Sequence, residues 1–391
     1  MVCPLFRPYF YILTGIYINN GYDRKIGMIK ITSIRYSLLM FAFIQISLVS
    51  LKTGEFKMNR IKYVVAILVL FCLFNLSAFA KQKSQEKSFE GTVIVVNKKE
   101  DTVNFIDVAS RKFKFTRATG KGPHELALTN DGLWAVVTDY VGGNSLTIFD
   151  VNKAKKVRTI DLSKYPRPHG VLFLKDQRRV AVSSEASDSV VIVDIHSGKV
   201  EKVIGTGQKG SHMVALPASS ELVYTTNMGS NSVSEMDILS GKLLRKIATH
   251  KVPEALTVNK SGTELWVGSN EDGLVTVYDL ATGKAINQWK GFSFPYRILL
   301  TRDEHYAVIP DVRNDTLDII DLVDQKRLHQ VKFEKGTIPN GVFFHPDDRT
   351  LFMSAYGKNK VIVIDILDGK ILFELPTGGG PDGIGFTPVK L

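Results

Sequence analysis

From Gly91 to the C-terminus, hydrophobic and polar positions follow one recurring pattern. Short apolar runs alternate with turn residues, and no stretch shows the 3.6-residue period of a helix. A hydrophobic run ends in Asp plus an aliphatic residue at Asp107-Val108, Asp150-Val151, Asp194-Ile195, Asp237-Ile238, Asp279-Leu280, Asp321-Leu322 and Asp365-Ile366. These marks are 43, 44, 43, 42, 42 and 44 residues apart. A second mark, a Pro-x step opening an apolar run, falls at Pro123, Pro168, Ser211 (in place of Pro), Pro253, Pro295, Pro339 and Pro381. Two independent marks repeat in phase. Within the fifth unit, Ala255–Val258, Glu264–Gly268, Leu274–Asp279 and Ala285–Trp289 read as four strands, separated by turns such as Thr282-Gly283-Lys284.

Four antiparallel strands per unit of this length predict an all-β, seven-bladed β-propeller. The repeat begins mid-unit at Gly91 and ends just after a first strand, Gly383–Phe386. The C-terminal strand is therefore expected to complete the N-terminal blade and close the ring, removing free strand edges. Units such as Leu222-Val223-Tyr224-Thr225-Thr226-Asn227, with Asn231-Ser232-Val233 and Met236-Asp237-Ile238, resemble the YVTN-repeat propellers over all of residues 91–391. The Gly-His and Trp-Asp marks of the WD40 type are missing from the blade positions. The wider group that looks like this includes periplasmic and surface-layer propellers, lactonases of the 6-phosphogluconolactonase type and cofactor-bearing oxidoreductases. The resemblance implies the fold; propellers host many functions.

Composition and charge change the picture mainly before residue 81. Met58–Lys62 is a short basic start, Tyr63–Leu76 is mostly apolar, and Ala78-Phe79-Ala80 has the small-x-small form of a signal-peptidase site. Residues 58–80 thus read as a secretory signal peptide, with a short linker at 81–90 before the propeller at 91–391. Residues 1–57 carry a second apolar run, Tyr36–Leu51, and read as an over-extended start or an N-terminal leader. The expected location is the periplasm or another exported, cell-envelope site, with no stable membrane span in the mature chain. Of the whole-chain charge of +11, residues 81–391 keep only +4. With no stripe of lysines and aromatics, nucleic acid is disfavoured. Both cysteines, Cys3 and Cys72, lie in the first 80 residues, so the remainder has no disulfide, thiolate nucleophile or Cys-ligated zinc. Phosphate-binding glycine loops, Gly-x-Ser-x-Gly elbows and HExxH are also missing.

Aligning the units gives two rings of polar residues on one face. The first follows the Pro step: His124, His169, His212, Glu254, Tyr296, Asn340 and Asp382. The second ends the second strand: Asp139, Glu185, Asn227, Asn270, Asp311, Tyr356 and Asn97. Three readings follow. The side chains cap strand starts. They form a polar funnel for a small polar or anionic ligand, with Arg297, Arg313, Arg167 and Lys121 at its rim. Or His124, His169, His212 and Glu254 ligate a divalent metal ion through neutral imidazoles and a carboxylate. A metal with an open position could serve lactonase-like hydrolysis, with Glu125 or Glu185 as candidate base. One position further on, Glu125 and Arg297 stand on the second and sixth units and could bracket a dipolar ligand. The leading expectation is a binding or scaffold protein whose ligand, or envelope-protein partner, meets the polar mouth of the channel. A metal-assisted lactonase-like hydrolase and a structural envelope or surface-layer protein are the alternatives.

Overall fold

The computed structural model describes residues 89–218 and 221–391. The signal-peptide and leader expectations fall on residues 1–80, outside that range. Every sheet among the described residues is four-stranded and antiparallel, and there are seven of them. The blades run in chain order. Blade 1 is Thr92–Asn97, Thr102–Asp107 and Lys112–Ala118, completed by Pro381–Thr387. Blades 2 to 7 open on Pro123, Pro168, Ser211, Pro253, Leu299 and Pro339. The closing strand pairs Val93 with Phe386 and Val95 with Ile384, so the two ends of the chain share one sheet. The expected shared blade is therefore the observed one. Among the described residues no helix is long and apolar enough to cross a membrane.

The middle strands of each blade are buried on both faces, which explains their near-continuous hydrophobic runs. Thr92–Asn97 is buried throughout, whereas the outermost strand Lys112–Ala118 is mostly exposed. The hydrophobic core lies between blades rather than within them. Val93, Val95 and Ile106 of blade 1 pack on Phe352, Val361 and Val363 of blade 7, together with Ile384 and Phe386. On the other side, Ile94, Val96 and Phe105 pack on Ala135, Val137 and Phe149 of blade 2. Equivalent cores join each remaining neighbouring pair.

The repeated Asp has a local cause. Its carboxylate accepts hydrogen bonds from backbone N–H groups of the following hairpin, as in Asp194 with His196 and Ser197, or Asp365 with Leu367 and Asp368. This satisfies donors that the turn leaves without ladder partners. The Pro step also has one. Between Pro123 and Leu126 the inner strand carries one more residue than its partner between Asp139 and Val137. The same bulge recurs in blades 1, 3, 4, 5 and 7. A bulge re-aims the side chains it carries, and here those are the first-ring residues and their successors. A hydroxyl on the second strand takes the freed N–H: Thr138 from Glu125, Ser183 from Gly170 and Thr226 from Met213.

Blade 6 departs from the expected pattern. Its inner strand is only Leu299–Leu300, with Pro295 bridging Asp311 in isolation. The opposing second strand carries Pro310, which accepts from Tyr296 N–H but has no N–H of its own to return. Gly383 serves close approach: a Cβ there would sit 2.5 Å from His124 O and 2.7 Å from Leu126 N of the next blade. Gly341 is held the same way, with Asp382 O at 2.3 Å from its added Cβ.

Candidate functional site

The bulges bring the first ring together at one mouth of the channel. His124, His169, His212, Glu254, Tyr296, Asn340 and Asp382 are all buried. His124 and His169 face each other with Nε2 atoms 3.1 Å apart. His212 stacks on His169, with ring centroids at 3.5 Å and planes 28° apart. His212 Nε2 lies 3.7 Å from Glu254 Oε1, and His212 Nδ1 lies 3.4 Å from Glu185 Oε2. Asp382 accepts from Tyr296 Oη and Asn340 Nδ2, each at 3.3 Å, and its other oxygen lies 3.4 Å from Lys98 Nζ.

The second ring divides. Glu185 reaches His212, and Asn270 donates to Glu254. The other members named as ligand candidates are engaged within their own blades. Asp139 accepts from Ser145, Thr147 and Gly120 N–H. Asn227 bonds Ser211, Ser232 and Ser234. Asp311 accepts from the N–H groups of Ser293 and Phe294 and from Asn314.

Glu125 and Arg297 do not sit apart as ligand brackets, nor are they solvated. They form an ion pair across the channel, with side chains only 13% and 10% exposed. Arg297 is therefore no rim residue; its guanidinium lies over the Tyr296 ring at 4.0 Å and within 3.8 Å of Glu254. The pair also lines a cavity of about 350 Å³ along the channel, walled by residues such as Leu126, Leu128, Phe173 and Leu256. It thus stands where a polar mouth meets an apolar bore.

Tyr140 is the residue that sequence reasoning missed. It follows Asp139 and shares the register of Glu185 and Asn270, which stand one residue past the strand-end position that Asp139 occupies. Its ring meets those of His124 and His169 edge-on at 5.2 and 4.8 Å. Its hydroxyl donates to Glu185, and Arg167 lies over its face at 4.7 Å. Tyr140 and Arg167 also line a cleft of about 400 Å³ between blades 2 and 3, with Asn144, Pro166 and Ala186. Arg313 lies over Phe294 at 4.8 Å.

Protonation follows from these contacts. Burial raises the Glu125 carboxyl, but Arg297 and His124 outweigh it and hold the group below the ordinary carboxylate range. Glu185 is likewise raised by burial yet brought down to about 2 by His212, Tyr140 and Arg167. Glu254 is held low by His212 and Arg297 against its burial. His169 is pushed well below its usual value by burial and by neighbouring His212 and His124, so it is neutral. His212 is lowered by burial but raised overall by Glu185 and Glu254.

A carboxyl with a lowered folded pKa adds stability that is present above its unfolded pKa and lost as pH falls. A neutral buried His behaves the same way below its ordinary pKa. His169 should therefore begin to draw the melting temperature down below pH 6.5, and Glu185 should add its own fall between pH 4.5 and about 2. Glu185→Gln should flatten that fall; thermal melts across the range check it, and an unchanged slope in the variant would contradict it.

Five buried side-chain atoms at the mouth have no hydrogen-bond partner: Nδ1 of His124, His169 and His212, and Oδ1 of Asn270 and Asn340. Only three other such atoms occur among the described residues. The His124 and His212 nitrogens have carboxylates nearby, but without hydrogen-bond geometry.

No family model matches the chain. It is similar to Antigen Lp49 of Leptospira interrogans, 22% identical over 268 residues. The match covers 62% of this chain and 58% of the antigen. Among solved structures it resembles a hydrazine synthase chain of Kuenenia stuttgartiensis, with TM-score 0.60, 18% identity, and 66% of this chain and 88% of that one covered. A functionally unknown protein of Desulfotomaculum acetoxidans gives 0.65 at 15% identity, covering 76% and 99%. Dihydro-heme d1 dehydrogenase NirN in complex with DHE gives 0.57 at 14%, covering 75% of each chain. At these identities the structural likenesses establish the fold.

Proposed function

We propose that this seven-bladed propeller is an exported binding protein of the YVTN-repeat kind whose ligand occupies the polar mouth of the channel. The observation that carries the reading is the set of unpartnered buried polar atoms on residues around the mouth, His169 Nδ1, Asn270 Oδ1 and Asn340 Oδ1 among them. Buried polar groups are normally satisfied, and each one left over costs about 1–3 kcal/mol. Leaving that many together serves a ligand better than it serves a fold. The ligand is small and polar or anionic, entering beside Tyr140 and Arg167, where the cleft of about 400 Å³ offers a guanidinium. Export rests on the Met58–Ala80 pattern.

A metal-assisted hydrolase is the second reading, favoured by the grouping of His124, Glu125 and His169. Glu125 serves it poorly as a base, because Arg297 holds its carboxylate in an ion pair.

Native mass spectrometry of the full chain, isolated without denaturation, tests the binding reading. Bound mass should be present and lost on unfolding. Replacing both His124 and His169 with Ala should remove it while the chain stays folded. An adduct that survives in the double variant would place the ligand elsewhere.

A further inference from the structure

We propose that the mouth holds a single divalent transition-metal ion between His124 Nε2 and His169 Nε2, with Glu125 as third protein ligand. This rests on the reading of the mouth as a binding site and names its occupant. One ligand atom from each of the three residues lies within 4.8 Å of the others. Two imidazole nitrogens 3.1 Å apart, each about 2.1 Å from an ion, subtend about 95° at it. That angle suits neighbouring positions of an octahedral or distorted tetrahedral site. Donors on one such ion stand at most about 4.2 Å apart. Glu125 Oε1 lies 3.4 Å from Nδ1 of the same His124 ring, so its carboxylate turns toward Nε2 to complete the set.

The surroundings are those of a ligand histidine rather than of two packed rings. Asp382 Oδ2 stands 3.2 Å from His124 Nδ1. A carboxylate there favours the proton on Nδ1 and leaves the Nε2 lone pair facing His169, the arrangement that orients metal-bound imidazoles. Asp382 is itself fixed by Tyr296, Asn340 and Lys98. His169 is held by the His212 stack on one side and the Tyr140 edge on another. A simple N–H···N bond between the two rings is the competing arrangement. It accounts for the 3.1 Å separation but gives Glu125, which groups with the two imidazoles, no part.

The donor set selects the metal class. Two imidazoles and one carboxylate suit Zn²⁺, Cu²⁺, Co²⁺ or Ni²⁺, whereas Mg²⁺ and Ca²⁺ prefer all-oxygen shells. The predicted set differs from the four residues grouped by ring position. His212 Nε2 points to Glu254, and His212 itself stacks on the ligand ring.

The test uses the full chain stripped with EDTA and titrated with Co²⁺ and Zn²⁺ alone, with Mg²⁺ as the comparison. One Co²⁺ per chain should bind and give visible d–d absorption; Zn²⁺ should displace it, and Mg²⁺ should not. His124→Ala or His169→Ala should weaken Zn²⁺ binding about 100-fold, and Asp382→Asn, which weakens the acceptor beside His124 Nδ1, about 10–100-fold. His305→Ala, on a distant surface turn, should leave binding unchanged. Electron paramagnetic resonance of the Cu²⁺-loaded unaltered chain should show two coupled imidazole nitrogens, a readout that needs no variant to fold. Failure of the unaltered chain to bind Co²⁺ or Zn²⁺ would overturn the proposal. So would binding lost in His305→Ala but kept in His169→Ala. If metal binding fails while native mass spectrometry still finds another bound species at the mouth, only the metal assignment falls; if both fail, the binding reading falls with it.

Discussion

A chain shortened by residues 381–391 should not fold to a stable propeller. The lost strand Pro381–Thr387 is buried along its whole length. Ile384 and Phe386 pack into the core shared by blades 1 and 7, and Phe386 stacks on Phe352 at 5.4 Å. Removing two such side chains costs roughly 5–10 kcal/mol by large-to-small substitution scales. That is comparable with the whole stability of a typical domain, about 5–15 kcal/mol. The deletion also strips the inner edge of Thr92–Asn97 of its ladder partner and opens an edge to aggregation. Circular dichroism melts and size-exclusion chromatography should show no cooperative transition at the normal temperature and a large soluble-aggregate fraction. A shortened monomer that melts where the full chain melts would rule out closure through blade 1.

Arg297→Met should be the most damaging single substitution at the channel. The guanidinium is the direct partner of Glu125 and lies within 3.8 Å of Glu254. Methionine fills similar volume but leaves buried carboxylates facing each other without their cation. Breaking a buried pair from one side costs about 3–5 kcal/mol, because the remaining charge is stranded. Adding Glu125→Gln should recover a large part of that loss, since the stranded charge is then gone. Denaturant unfolding of both single variants and the double measures the coupling. Additive losses would mean that the two residues do not act as a pair.

These expectations differ in how far they could be read from residues alone. The ring and its closure were visible because the hairpins reuse Asp to hold turn N–H groups, and six of the seven units reuse Pro at the step into the inner strand. Repetition turned local turn chemistry into a count of blades. The first polar ring was visible for the same reason: the residues after Pro sit in the bulge and are re-aimed as a set. What repetition could not show is distance. Glu125 and Arg297 were recognisable as opposite charges on opposed units, but only the narrowness of the channel makes them partners. Gly341 and Gly383 hold the same position on their blades and are demanded by the neighbouring backbone. Tyr140 escaped notice because Glu185 and Asn270, its true equivalents one residue past the strand end, were aligned instead with Asp139. Glu185 and Asn270 stand one residue past the register of Asp139, Asn227 and Asp311, and in their blades that register holds Ser184 and Ser269. At the strand-end register nearby hydroxyls, a side-chain amide or backbone N–H groups engage the polar side chains.

The central claim is that the mouth histidines exist for a ligand and not for the fold, and the stability of His169→Leu tests it most directly. His169 is fully buried, and its Nδ1 has no hydrogen-bond partner. Its neutral form is enforced by burial first and by its neighbours His212 and His124 second. Leucine has a comparable volume and removes the unpartnered Nδ1, but it also takes from His124 Nε2 its partner at 3.1 Å, so the ligand-free propeller should lose no more than about 1 kcal/mol, the net worth of one hydrogen bond. A loss of more than about 2 kcal/mol, the scale of a buried hydrogen bond left unmade, would show that the ring is held for structure and would contradict the account.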